Sequence, residues 1–198
     1  MQTLPHRGRI SDMNILMFTP TQAATVTGLP LKKVQKAIDS DAIPVFLRRE
    51  RGRRINKNRY LPDAALLCLM LEAEGVKQLP LRLRKLVFKS VCLFRRRPQI
   101  RINDVVWVDV GRVRAKLARN LRDLRNAKRM VTSDPDFMGG TPLFKGTRIP
   151  IQTVAKMLNS GAGVSDVTAA YPQLTEEQVR LAGVHAKASP RRGRPRAK

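Results

Sequence analysis

Residues 19–62, TPTQAATVTGLPLKKVQKAIDSDAIPVFLRRERGRRINKNRYLP, decide the fold of this chain. Thr19 followed by Pro20 is a helix start, because a threonine hydroxyl caps free amides of the first turn and proline suits the first helical position. Ala23, Ala24 and Val26 supply an apolar side, and Gly28 breaks the helix. Pro30 starts a second helix, predicted over 31–40, with Val34, Ala37 and Ile38 at helical spacing on one face. Lys32, Lys33, Gln35, Lys36 and Asp39 fall on the other face. After Pro44 and the apolar triplet 45–47 comes RRERGRRINKNRY, with seven basic residues, one acid and Gly52 near its middle. Strand, glycine turn and strand is the natural reading of 45–60.

Outward from this unit, residues 1–18 read as a loose lead-in ending in the apolar run 15–18. On the other side, residues 60–63 lead into an apolar helix over 64–74, so the first folded unit is predicted over 19–75. Residues 76–130 form a basic middle segment of mixed α and β character that spreads along phosphates and is a candidate for holding a dimer. In its first part, leucines and valines alternate irregularly with Arg82, Arg84, Lys85 and Lys89. Ile100, Ile102, Val106, Val108 and Val110 then fall on even numbers, which predicts one strand with Trp107 and Asp109 on its opposite face. Gly111 ends it. A helix is predicted over 112–130, with the stripe Val113, Leu117, Leu121 and Leu124 set among arginines and lysines.

Composition shifts at Val131: residues 131–186 hold four basic and five acidic residues. Three helices fit this near-neutral block: about 151–160, about 165–171 with Ser165 as cap, and about 176–186 behind a Thr175/Gln178 capping box. Residues 187–198, KASPRRGRPRAK, carry six basic residues and no acid, a composition that cannot build a core.

The chain has 198 residues, 39 of them Lys or Arg against 15 Asp or Glu, for a net charge of +24. Such an excess points to a polyanionic partner, since each cation placed on a phosphate releases condensed counterions. There is no apolar run near the length of a membrane span and no charged-then-apolar leader, so a cytoplasmic, nucleoid-associated protein is expected. Cys68 and Cys92 sit in apolar surroundings without a CxxC partner and read as free thiols, while His6 and His185 are isolated. No nucleophile–base pair, carboxylate pair or metal-ligand spacing stands out, so neither catalysis nor a metal or cofactor is expected.

The unit at 19–61 resembles the winged helix-turn-helix of MerR-type regulators and excisionases. The resemblance implies that helix 31–40 enters the major groove with Lys32, Lys33, Gln35 and Lys36 toward bases and phosphates. It further implies that Arg48, Arg49, Arg51, Arg53, Arg54, Lys57 and Arg59 lie along phosphates or reach the minor groove. The stretch VTSDPDFMGGTPLFKGTRIPIQTVAKMLNSGAGVSDVTAAYPQLTEEQVRLA, from Val131, resembles the DUF433 module. That resemblance implies a trihelical, helix-turn-helix-like fold and a VapB-type antitoxin whose partner is a PIN-like ribonuclease toxin. In the loop GGTPLFKGTR, Lys145, Thr147 and Arg148 are candidates to meet an anion. The alternative is a structural clasp that packs Phe144 and Ile149 on the three helices. Arg192-Gly193-Arg194-Pro195-Arg196 resembles an AT-hook, with arginines spreading along a narrow minor groove, or else is a nonspecific basic tail.

The expected fold is therefore mainly α with small β elements: a winged helix-turn-helix, a basic middle, a trihelical module and a basic tail. The expected function is that of a homodimeric, DNA-binding antitoxin that neutralises a PIN-like toxin and represses its own operon. The alternatives are a stand-alone regulator or excisionase-like factor with no toxin, and a nucleoid- or ribosome-associated structural protein.

Overall fold

A computed structural model describes residues 16–40, 43, 46–49, 57–94, 97–135 and 139–190. Among these the architecture is mainly helical, with eight α-helices and three small antiparallel sheets. The chain begins with β1 (Met17–Phe18), α1 (Pro20–Thr27), α2 (Leu31–Asp39), β2 (Phe46–Arg49), β3 (Lys57–Pro62) and α3 (Asp63–Ala73). A 3-10 turn at Val76–Gln78 leads to α4 (Leu81–Leu93), β4 (Gln99–Arg101), β5 (Trp107–Asp109) and α5 (Gly111–Arg129). The last part is β6 (Val131–Thr132), β7 (Leu143–Phe144), α6 (Ile151–Asn159), α7 (Val164–Ala170) and α8 (Glu176–Ala188).

At the centre stands α3, whose residues 65–71 are all buried. A helix apolar all round has no face for solvent and belongs inside. It is wrapped by α1, α4, α5 and β3. Leu61, Leu66, Leu69 and Leu71 are each at most 2% exposed, and complete burial of one such side chain stabilises by about 1.5–3 kcal/mol. The three-stranded sheet has β3 in the middle, with β1 joined to it through the pair Phe18–Leu61 and β2 through Phe46–Tyr60. Thus the end of the predicted lead-in is a strand of the first unit, with Phe18 buried.

A second core gathers Phe144, Ile151, Val154, Val167, Leu174, Val179 and Ala182. The helix α8 serves both cores. Val179 and Ala182 belong to the second, while Ala188 is 5% exposed in the first. Accordingly α8 packs on α1 and α5 as well as on α6 and α7. It runs two residues beyond its predicted end because Ala188 has a place in the first core.

Two local expectations need correction, and one segment left unassigned gains a structure. The alternating run 99–110 is not one strand but the hairpin β4–β5, with Ile100 opposite Val108. The Asn103 side-chain carbonyl accepts from the amides of Val105 (3.0 Å) and Val106 (2.6 Å), and this turn chemistry reverses the chain. The even-numbered residues still share the inner face: Ile100 and Val110 are buried, whereas Trp107 and Asp109 are exposed. The irregular segment after residue 80 is the helix α4, which buries Val87, Phe88 and Val91. Ser165 lies inside α7 rather than capping it. The helix is capped from Gly163, whose amide donates to Asp166 Oδ2 at 2.8 Å.

Candidate nucleic-acid interface

The first helical pair is set by its caps. Gln22 N donates to Thr19 Oγ1 at 3.3 Å and Thr19 N to Gln22 Oε1 at 3.2 Å, a reciprocal box that satisfies two amides of α1. Gly28 closes α1 at φ +72°, a left-handed conformation that a residue with a Cβ resists. Two residues later Pro30 opens α2. On α2, Val34, Ala37 and Ile38 are buried, and Lys32, Lys33, Gln35 and Lys36 are exposed. This is the division read from the sequence. None of the three lysines is in an ion pair among the described residues.

Two contacts that the sequence does not announce hold this pair in place. Arg59 on β3 donates from its guanidinium to the Asp39 carboxylate at the end of α2, tying the hairpin strand beside the helix. Asn120 of α5 donates from Nδ2 to the carbonyl of Val26 at 2.7 Å, anchoring the last turn of α1. They join residues 20 and 94 apart in sequence, so no local pattern signals them. In the hairpin, Arg48 lies opposite Asn58 and Arg49 opposite Lys57 in backbone register. Arg51, Arg53 and Arg54 lie outside the described residues. So do Arg192, Gly193, Arg194, Pro195 and Arg196.

The long helix α5 adds a cationic surface. Its buried stripe is Val113, Leu117, Leu124 and Ala127, with Leu121 half-buried. Arg112, Lys116, Arg119, Arg122, Arg125, Lys128 and Arg129 are exposed around it. Lys116 is engaged with Glu74 at 2.8 Å, which holds that carboxyl below the usual carboxylate range. Asp123 pairs with Arg180 of α8 at 3.0 Å.

The glycine loop after residue 138 is built around internal bonds. Thr147 Oγ1 donates to Phe144 O at 3.0 Å and accepts from Ile149 N at 3.1 Å, while Lys145 N donates to Met130 O at 2.8 Å. Phe144 is fully buried, as a clasp on the three helices requires. The side chains of Lys145 and Arg148 are exposed on the outside of the same turn. Its hydroxyl fixes the turn, while the cationic side chains of Lys145 and Arg148 are exposed.

Elsewhere the chemistry is that of packing. The Cys68 thiol is pushed up by its hydrogen bond with Cys92 and by burial. Both are thiols, Cys68 buried and Cys92 half-buried. His185 is held below its ordinary value by burial and by Lys128 nearby. Among the described residues no group of three or more His, Cys, Asp or Glu is placed to hold a metal ion. No helix among them is long and apolar enough to cross a membrane.

Residues 131–184 match the family described as "Protein of unknown function (DUF433)". The uncharacterized protein y4eO of Sinorhizobium fredii (strain NBRC 101917 / NGR234) is 30% identical over 193 residues, which is 91% of this chain and 85% of that protein. The chain belongs to the y4eO family. Its DUF433 domain comprises β6, β7, α6, α7 and most of α8, while the elements β1 to α5 precede that domain. Among solved structures, Rv2018 from Mycobacterium tuberculosis is 18% identical and aligns over 83% of this chain and 95% of that one, with a TM-score of 0.35.

Proposed function

We propose that this protein binds operator DNA through a winged helix-turn-helix made of α1, α2 and the β2–β3 hairpin, and acts as an autorepressing antitoxin. One observation carries the DNA limb. The face of α2 opposite its buried residues holds a glutamine and three lysines that are in no ion pair among the described residues, with an arginine-rich hairpin clipped to its end by Arg59 and Asp39. An exposed helix of this kind fits a major groove, where glutamine pairs with adenine and lysine reaches guanine or phosphate. The net charge of +24 supports the same reading. Homodimerisation would double a modest half-site into a symmetric operator.

The antitoxin limb rests on the likeness of residues 131–186 to the module found in VapB-type antitoxins, together with the near-neutral charge of that block. A PIN-like ribonuclease is the toxin it would restrain. Anisotropy on a duplex from upstream of the gene, against a shuffled duplex, tests the DNA limb. A preference of several orders of magnitude is expected of a regulator. Equal affinity for both duplexes would leave only a nonspecific binder. Co-expression with a PIN-like neighbouring reading frame tests the other limb: growth should be restored and the two proteins should co-purify, and continued toxicity would refute it.

A further inference from the structure

The outward side of α4 mixes leucines with cations. Leu81, Leu86 and Leu93 are 59%, 42% and 65% exposed, and Phe94 just after the helix is 43% exposed. Arg82, Lys85 and Lys89 are exposed between them, in no ion pair among the described residues. At 3.6 residues per turn the three cations run down the middle of this face, with Leu81 on one border and Leu86 and Leu93 on the other. The helix cannot roll its leucines inward, because Val87, Phe88 and Val91 already fill the core on the opposite side. From Gly75 to Asn103 the sequence has no acidic residue.

We propose that this face is a docking surface for an acidic amphipathic helix of a partner protein. The row Arg82, Lys85, Lys89 has the i, i+3, i+7 spacing that a facing helix matches with carboxylates at the same repeat. Flanking leucines on both sides of the row cover apolar side chains beside those carboxylates, so the contact is helix against helix. A second copy of this chain is the wrong occupant, because it brings the same cations against themselves. Phosphates are wrong as well, since exposed leucines gain nothing against them. On a membrane-bound helix the apolar face is continuous and the cations lie on the opposite face. Here the cations occupy the middle of the face. This inference stands apart from the DNA-binding reading and does not depend on it.

The test uses the full chain and a labelled helical peptide with glutamate at every third and fourth position along one row and leucine on both sides of that row. A scrambled peptide of the same composition and phosphatidylserine vesicles serve as controls. The amphipathic peptide should bind about tenfold or more tighter than the scrambled one. The double variant Leu86→Glu, Leu93→Glu should weaken it by about tenfold or more, with an unchanged far-ultraviolet circular dichroism spectrum. Equal binding of the two peptides, or indifference to the variant, overturns the proposal. So does vesicle binding stronger than peptide binding, or a dimer in sedimentation equilibrium that the variant dissociates.

Discussion

Replacing Lys32, Lys33 and Lys36 together by alanine isolates the electrostatic share of α2. All three are exposed and the one acid on the same side of the helix, Asp39, is occupied by Arg59. Each lysine is therefore free to neutralise one phosphate. Each phosphate neutralised on B-DNA contributes about −0.9 to the slope of log affinity against log salt. Three of them make about −2.7, so a fourfold rise in salt should cost the wild type about 40-fold more affinity than the variant. Alanine is the best helix former and Val34, Ala37 and Ile38 stay in place, so the fold is expected to persist, and circular dichroism checks this. Fluorescence anisotropy across a salt series on the upstream duplex measures both slopes. Identical slopes would refute the placing of α2 on the phosphates, whatever the absolute affinities.

Three other outcomes are expected. Asp39→Asn releases Arg59 from its carboxylate and removes the acid of α2, so the ratio of operator to random-duplex affinity should fall. Because the pair is exposed, stability should change by only about 0–1 kcal/mol, and an unaltered ratio would show that the clip does not position the hairpin. Phe144→Ala empties the centre of the second core, where the ring is 0% exposed, and should cost about 3–5 kcal/mol in urea unfolding. A loss well under that would mean the clasp collapses around the space. His185 is held below 6.5 by burial first and Lys128 second, so the unfolded chain takes up its proton before the folded one. Stability should hold above pH 6.5, fall as pH drops from there toward the folded value, then level off. A His185→Gln variant lacking this step in thermal unfolding would confirm the source, and retention of the step would place it elsewhere.

Local chemistry was sufficient for much of the segment from α1 to β3. Proline at the start of α1 and α2, the Thr19 box and Gly28 fix helix ends through groups a few residues apart, so they are legible in one dimension. The burial of Val34, Ala37 and Ile38 follows from helical period alone, as does the outward display of Lys32, Lys33, Gln35 and Lys36. In the DUF433 domain the three helices fell where caps and glycines put them, with Ser165 yielding to Asp166 because a carboxylate three residues inside the helix reaches back to the Gly163 amide. The hairpin at 99–109 was missed because period-two alternation survives a tight turn: residues opposite one another across β4 and β5 keep the same face. The helix α4 was obscured by leucines on its outer side, which blur the apolar stripe that marks a helix.

The amino-acid order by itself determined where α1 stops and α2 starts, which face of α2 is cationic and that the segment 64–74 is an apolar helix, since these depend on neighbours within one or two turns. Only the tertiary structure decided that Arg59 meets Asp39, that Asn120 caps Val26, and that α8 is shared between two cores. Those contacts join residues far apart along the chain, and hydrogen bonding and apolar burial select among such pairs only after the helices have packed.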